Sequence, residues 1–517
     1  MDSPQKPRIC VSLCEPTVAA LKRAITGAAK VCDLIEVRLD CLDPYELEND
    51  SASITKLLQQ TACESILTFR PSQEGGHSAL DDATRQSFWS DAIFSASFFD
   101  VELDLAEKFN ANETSPSLPI DWSRTICSHH DFVGVPAKLD QIYDRMGSTP
   151  ARVLKIAVQA NDAIDCLPVF QLLERAREDG REMIAIAMGT AGVPTRILGP
   201  SRGAFLTYAS LKNERETAPG QISARELSEV YRLEKIDRHT QIFGLVGWPV
   251  SHSVSPLIHN AAFAAAETNA VYIPFETRDI KTFIKLMIHP RTRELDWNVR
   301  GMSVTAPHKS AVIDQLDWIE PAAQEIGAVN TIIIEGESLR GYNTDPPGFV
   351  TPLEREFGDL RGAHCAVIGA GGAASAALWS FKQAGVNTSV FARDTSKASA
   401  LAERFGAEHL PLEEARFEGF DVVVNATPLG TAGEFESETP ASSSQLRGAG
   451  LAYDLVYNPT ETRFLREARE AGCKTLGGLA MLVAQADEQF KLWTGVSAPE
   501  GVMYNAAERK LQRSDFE

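Results

Sequence analysis

Residues 152–158 read RVLKIAV, from Arg152 to Val158. Thr149-Pro150 precede this short β-branched and aliphatic run, and the polar residues Gln159, Asn161 and Asp162 follow it. A run delimited in this way is the pattern of a strand buried on both faces of a parallel sheet. Lys155 stands in the middle of it. Desolvation disfavours an ammonium in such a place unless it is paired, and a neutral amine is a nucleophile towards ketones. For a single lysine taken alone, a buried ion pair is the first reading.

Working outward, short apolar runs alternate with longer amphipathic ones. Strands are expected at Ile9 to Leu13, Leu34 to Leu39, Ser65 to Phe69, Phe99 to Leu103, Arg124 to Ser128, Val153 to Val158, Met183 to Met188 and Phe205 to Ala209. Helical segments such as Thr17 to Ala29 and Leu167 to Glu178 separate them. Eight strands separated by helices are the count of a (β/α)8 TIM barrel, so the fold class is α/β.

The chain has 517 residues, too long for one ordinary domain. About three domains is the length expectation, or two if one is a barrel of about 250 residues. A net charge of −20 argues against nucleic acid or an anionic membrane as partner, and no basic run offsets it. The nine cysteines include no CxxC pair, and Cys10, Cys14 and Cys32 lie in or near apolar strands. Reduced, buried thiols in a cytoplasmic protein are expected. The ten histidines show no zinc spacing, so no metal is expected. The polar start, MDSPQKPRICVSL, has no signal character and no apolar stretch reaches membrane-spanning length, which predicts a soluble protein. The oligomeric state is left open.

Polar residues fall where a barrel places its chemistry, at the C-terminal ends of the strands. Glu36 and Arg38 share one face of IEVRLD. LTFRPSQEGG ends in Arg70 and a loop with Glu74, and TICSHHDF ends in His129, His130 and Asp131. Arg196 and the APGQIS loop with Gln221 follow the last two strands. Each has an ordinary structural reading by itself; converging at one mouth, they make a chemistry. A lysine amine forms an imine with a ketone, which acidifies the neighbouring carbon. A histidine takes that proton and returns one to a departing hydroxyl. Arginines imply an anionic substrate.

Through EVRLD, FRPSQEGG, SHHDF, LKIAV, MGTAG and APGQIS, residues 8 to about 226 resemble type I 3-dehydroquinate dehydratase. The resemblance implies Lys155 as the Schiff-base former and His130 as general acid/base. It implies Glu36, Arg38, Arg70, Arg196, Thr217 and Gln221 as substrate ligands, with Glu74 orienting the histidine. His129 stands where an aromatic residue is expected, and Thr217 where the family tends to have serine.

Ser223 to Thr240 is charged and helix-compatible, which predicts a short, stiff junction with a boundary near residue 235. Beyond it, GWPVSHSVSPLIH places Ser255 as N-cap with Pro256 opening a helix, and Ser253 and Ser255 beside helix amides make a small anion site. MSVTAPHKS repeats the device, with Thr305, then Pro307 opening a helix that carries Lys309. GAVNT brings Asn330 and GYNTDPPGF brings Asp345. In AVIGAGGAASAAL, Gly369, Gly371 and Ala374 hold the G-x-G-x-x-A spacing between a strand and a helix, the dinucleotide fingerprint in its context. The next strand ends in Arg393 with Lys397 a turn beyond, and these cations favour a ribose 2′-phosphate, hence NADP, while Asp394 works against it.

Residues 240 to about 510 resemble shikimate dehydrogenase through SHSVSP, VTAPHK, GAVNT, NTD, GAGGAA, NATPLG, YNPTET and GGLAMLVAQA. The resemblance implies Lys309 and Asp345 as catalytic pair and Ser253, Ser255, Thr305, Asn330, Tyr457 and Gln485 as substrate ligands. It implies Gly369, Gly371, Gly372, Ala374, Arg393, Lys397, Asn425 and Gly478 around NADP. The expected organisation is a barrel over 1–234, a substrate lobe over 235–345 completed by helices in 481–517, and a Rossmann lobe over 346–480. A bifunctional enzyme acting on 3-dehydroquinate, 3-dehydroshikimate and shikimate is the reading. The alternatives are a quinate-directed dehydrogenase using NAD(P), and a metabolite sensor on the same folds; a sensor is expected to have lost Lys155, His130, Lys309 or Asp345, and all four are present.

Overall fold

The computed structural model describes residues 6–77, 85, 86, 89, 96–111, 120–211, 220–413 and 415–514. Thr217 lies outside the described residues. The first eight strands are β1 (Ile9–Leu13), β2 (Leu34–Arg38), β3 (Glu64–Thr68), β4 (Phe98–Glu102), β5 (Thr125–Asp131), β6 (Val153–Gln159), β7 (Glu182–Met188) and β8 (Thr207–Ala209). All pair in parallel in the order β7-β6-β5-β4-β3-β2-β1-β8. The Phe205 N–H donates to the Met183 carbonyl at 2.7 Å and Met183 bridges Ala204, so the two ends of the sheet meet and the barrel is nearly closed.

Period-two alternation sorts every strand into an inner and an outer face. Cys10, Leu34, Ile66, Phe98, Ile126, Val153 and Ile184, one from each of the first seven strands, form an apolar plug inside the barrel. Two residues further along, the same inner face carries Ser12, Glu36, Thr68, Asp100, Ser128 and Lys155. The interior therefore changes from apolar to charged along its own axis, and the charged end is the one where the strands finish. Outward-facing Ile35, Val37, Leu67, Val101, Leu154 and Ile156 pack in the outer core with residues of the surrounding helices, such as Leu21, Ile25, Val169 and Phe170. The helix Val18–Ala28 starts where Thr17 caps it by accepting from the Ala20 N–H.

Cys14, at the end of β1, is joined to Cys41 by a disulfide. This corrects the expectation of a reduced thiol at Cys14: the chain turns after β2 bring Cys41 within bonding reach, a juxtaposition that sequence spacing does not show. Cys10 and Cys32 are free.

The junction is helical only over Ala224–Glu229, capped by Ser223, and then turns. Tyr231, Leu233 and Ile236 are all buried in the core that runs continuously from the barrel into the next sheet, and that spacing does not share one helix face. Phe170 of the barrel packs on Trp297 with centroids 6.2 Å apart, and Arg238 pairs with Glu174 at 3.0 Å.

The second sheet contains β9 (Gln241–Gly247), β10 (Ala270–Glu276), β11 (Val299–Val304), β12 (Trp318–Ile319), β13 (Thr331–Glu335) and β14 (Ser338–Tyr342), in the order β10-β9-β11-β13-β14-β12. Ser255 is the first residue of the helix Ser255–Ala265 instead of its cap; Val254 takes the cap position and Ser253 Oγ accepts the Ser255 N–H at 3.2 Å. Such one-residue shifts are ordinary at helix ends. The expected helix after Pro307 does not form. Thr305 to Val312 runs as successive turns, with the Thr305 carbonyl accepting from His308 and the His308 carbonyl from Val312.

The third sheet is wholly parallel, with β15 (His364–Ile368), β16 (Asn387–Ala392), β17 (Glu408–Pro411), β18 (Val422–Asn425), β19 (Leu451–Asp454) and β20 (Lys474–Leu476) in the order β17-β16-β15-β18-β19-β20. Chain order reverses between β15 and β18, the switch point where doubly wound sheets open a crevice. The helix Gly478–Thr494 returns to the second sheet, where buried Gln489 accepts from Ser303 Oγ at 2.8 Å and donates to Thr331 Oγ1 at 3.0 Å.

Candidate active sites

Inside the barrel, Lys155 Nζ lies 2.8 Å from Asp100 Oδ2, 3.2 Å from Glu36 Oε1 and 3.0 Å from the Tyr208 hydroxyl. Glu36 is fixed by Ser12 Oγ at 2.6 Å and Thr68 Oγ1 at 2.9 Å. Arg70 reaches Asp100, Glu102 and Ser128 Oγ at 2.9, 2.9 and 2.8 Å. Burial works against the charge on Asp100, but Arg70 and Lys155 outweigh it and hold the carboxyl down at about 2. Lys155 therefore belongs to a buried ion-pair network, the first reading for a lone lysine on such a strand. Arg38 pairs with Asp40 at 2.9 and 2.7 Å instead of Glu36.

His130 and Lys155 lie on neighbouring strands, with His130 opposite Ala157 in the register. His130 Nδ1 is 2.9 Å from Glu74 Oε2. Burial first, then the cations Arg70, Lys155 and Arg38, keeps His130 well below the usual imidazole range. Burial, reinforced by Glu102 and Asp100 against the pull of Arg70, pushes Glu74 up to about 8. Both shifts favour an uncharged imidazole beside a protonated carboxyl near neutral pH. His129 lies on the opposite face of β5 and does not line the cavity, as alternation requires.

Glu36, Arg38, Arg70, Glu74, His130, Lys155, Arg196 and Gln221 all line this one cavity. Arg196, on the short helix Val193–Leu198, is buried and donates to the Tyr208 carbonyl at 3.3 Å. Sequence reading missed Asp100, Glu102, Asp40 and Tyr208. The signal for the first two was present: FFDVE places both acids on one strand face, as IEVR does with Glu36 and Arg38.

In the second site, Lys309 Nζ lies 2.5 Å from Asp345 Oδ2. Asn330 Nδ2 donates to Asp345 Oδ1 at 2.7 Å and to Thr344 Oγ1 at 3.0 Å, and the Asp345 N–H donates to Asn343 Oδ1 at 3.0 Å. Thr344 Oγ1 reaches Gln485 Oε1 at 3.5 Å, bringing the helix Gly478–Thr494 into the same network. The Lys309 carbonyl accepts the Val329 N–H at 2.7 Å, which anchors the turn that carries the amine. Thr305 opens that same turn, and Ser253 and Ser255 sit at the helix start after β9. Tyr457 is partly buried, and burial raises its phenol, so it stays a hydrogen-bond donor.

At the switch point, Gly369 has φ +126°, and a Cβ there would lie 2.8 Å from the Ala426 carbonyl oxygen. This glycine is required by the turn itself. A Cβ on Gly371 or Gly372 would meet nothing within 4 Å; both open onto free space at the start of the helix Gly372–Ala384, where backbone N–H groups favour a phosphate. Ala374 is fully buried. These features fit a dinucleotide. Arg393 and Lys397 are exposed, and Asp394 caps the helix Thr395–Phe405 by accepting the Lys397 N–H while its carboxylate pairs with Lys397 Nζ at 3.4 Å. Two of the residues expected around the cofactor also have structural roles. The Asn425 amide is fully buried and spent on Leu429, Asp454 and Thr427, so it shapes a loop. Gly478 is needed for packing, since a Cβ would lie 2.5 Å from the Leu455 carbonyl oxygen.

Residues 9–238 match the type I 3-dehydroquinase family, 245–332 the shikimate dehydrogenase substrate binding domain, 352–434 the shikimate/quinate 5-dehydrogenase family and 478–508 the shikimate 5′-dehydrogenase C-terminal domain. The chain is 32% identical over 514 residues to the chloroplastic bifunctional 3-dehydroquinate dehydratase/shikimate dehydrogenase of Arabidopsis thaliana, covering 94% of this chain and 83% of that protein. It is 29% identical to the shikimate biosynthesis protein AroDE of Chlamydia pneumoniae over 94% of this chain and 95% of that protein. Half of it is 40% identical to 94% of the shikimate dehydrogenase (NADP(+)) of Caldanaerobacter subterraneus. With two paired lysines in two separate sites and these matches spanning both, the chain belongs to the bifunctional 3-dehydroquinate dehydratase/shikimate dehydrogenase family.

Proposed function

We propose that the barrel removes water from 3-dehydroquinate to give 3-dehydroshikimate, and that the second half reduces this product to shikimate with NADPH. The observation that carries the first step is the convergence of Lys155 from β6, His130 from β5 and Arg196 from the short helix after β7 on one cavity. In this reading Lys155 passes a proton to the carboxylates beside it and its amine adds to the ketone carbon. The carbonyl oxygen leaves as water, and an imine remains. His130 removes a proton from the adjacent carbon and returns it to the hydroxyl that departs. Hydrolysis of the imine frees the product and restores Lys155. Arg196 and Gln221 meet the anionic end of the substrate.

In the second site, Lys309 donates the proton that the developing alkoxide needs and Asp345 holds that ammonium in place. Ser253, Ser255, Thr305, Asn330, Tyr457 and Gln485 bind the ring hydroxyls and carboxylate. NADPH, when bound, supplies the hydride. The backbone at Gly371 and Gly372 would hold its pyrophosphate, and Arg393 and Lys397 would meet the 2′-phosphate, since Asp394 already serves its own helix. Purified protein given 3-dehydroquinate and NADPH oxidises the cofactor only if both sites work. A folded protein that leaves NADPH unchanged rejects the proposal, and equal rates with NADH reject the role of Arg393.

A cytoplasmic location goes with this reading and rests on the seven free cysteines, while the Cys14–Cys41 disulfide counts against it; cell fractionation tests it. No helix among the described residues is long and apolar enough to cross a membrane.

A further inference from the structure

A cavity of about 570 Å³ lies at the seam between the halves, lined by barrel residues before β8, by the junction from Ile236 to Thr240, and by the segment leading into β11. Four arginines line it: Arg202 from the barrel, Arg238 from the junction, and Arg293 and Arg300 from the second half. Their compensation is incomplete. One carboxylate, Glu174, serves Arg177, Arg202 and Arg238 together. Asp237 spends its carboxylate on the N–H groups of His239 and Thr240. Arg293 and Arg300 form no ion pair within 4.0 Å among the described residues; Asp296 is the acid that faces Arg293, and Arg300 repels it. In a chain whose net charge is −20, a recess lined by four guanidinium groups and two aspartates is a local reversal of sign.

The recess has a volume usual for small-molecule sites, and buried Trp297 contributes an apolar wall. It opens at the starting ends of β9 and β11, where Ile242 and Val299 line it, whereas both candidate active sites sit at strand ends. It is a separate place. The planar guanidinium fork matches carboxylate and phosphate oxygens in pairs, and arginines presented by three different parts of the chain suit a ligand with more than one such group. We propose that this seam binds a small polyanion, carrying at least two carboxylate or phosphate groups, which ties the barrel to the dehydrogenase half. The ligand would supply the negative charge that Arg293 and Arg300 lack, and would stabilise the joined arrangement in proportion to its concentration over its dissociation constant.

The test uses the full chain in thermal unfolding and calorimetric titration with inorganic pyrophosphate and with citrate, at constant ionic strength set by sodium chloride. Either anion should raise Tm in a saturable way. A rise with pyrophosphate alone identifies a ligand with two or more phosphate groups, and with citrate alone a polycarboxylate. The variant R293Q/R300Q should lose the response while keeping both catalytic rates and its Tm in chloride. Should that variant fold poorly, the single variant Arg300→Gln at the exposed rim should weaken binding about tenfold. An absence of any rise beyond that in chloride, or an unchanged response in the variants, overturns the proposal.

Discussion

Lys155 Nζ and Asp100 Oδ2 lie 2.8 Å apart across two strands of the barrel, with both side chains buried. A buried ammonium needs such a partner, yet attack on a carbonyl needs the lone pair that its proton occupies. The network of Glu36, Asp100 and Tyr208 around Lys155 gives the proton somewhere to go without leaving the site. Storage of the nucleophile as an ion pair and its release by a short proton transfer are thus built from the same atoms.

Lys155→Ala should lower dehydration by at least ~10³-fold and leave reduction of 3-dehydroshikimate unchanged. Borohydride reduction in the presence of 3-dehydroquinate should add covalent mass to the peptide containing Lys155 in the native protein. Mass added equally in the variant would refute the imine.

Asp100→Asn should destabilise the barrel by about 3–5 kcal/mol, because it leaves Lys155 and Arg70 short of a buried counter-charge. Urea unfolding monitored on the intact chain reads this directly, and a loss below 1 kcal/mol would mean that the pair is not buried as described.

Glu74 and His130 make a signed pH prediction. The folded pKa of Glu74 lies near 8, above its ordinary 4.5, so the folded state holds more protons than the unfolded one between these values and stability falls as pH rises through that window. His130 is depressed below 6.5, so its contribution raises stability with pH only up to about 6.5. The two oppose each other below that point, and above it only Glu74 acts. Unfolding free energy should therefore decline between about pH 6.5 and 8, and Glu74→Gln should flatten the decline. A native profile that is level across this interval contradicts the assignment.

Lys309→Ala should reduce the rate of 3-dehydroshikimate reduction by ~10²–10⁴-fold and leave dehydration as it was. Loss of both activities together would show that the halves are not chemically independent.

The fingerprint glycines should separate packing from binding. Gly371→Ala should keep its Tm and lose affinity for NADPH, because its Cβ would point into open space that a pyrophosphate would occupy. Gly369→Ala should also lower Tm, because φ is +126° and the Ala426 carbonyl lies 2.8 Å from the new methyl. Equal Tm losses in the two variants would remove the distinction.

Sequence alone determined what depends on local period and local backbone. Eight strand positions in the barrel, the inward sharing of Glu36 with Arg38, the glycine-rich turn after β15 and the lysines at 155 and 309 were all legible, because alternation and turn chemistry act over a few neighbouring residues. Only tertiary structure decided which charges meet. Lys155 with Asp100, Cys14 with Cys41 and Thr344 with Gln485 are set by the winding of the barrel and by the return of the last long helix, contacts between residues up to 141 positions apart. Tertiary packing gives Tyr231, Leu233 and Ile236 a buried surface that interrupts the junction helix, and the turns from Thr305 to Val312 replace a helix that a single proline had suggested. Local propensity is worth a few tenths to about 1 kcal/mol per residue, less than the buried contacts that tertiary packing makes available, so where the two disagreed the packing prevailed.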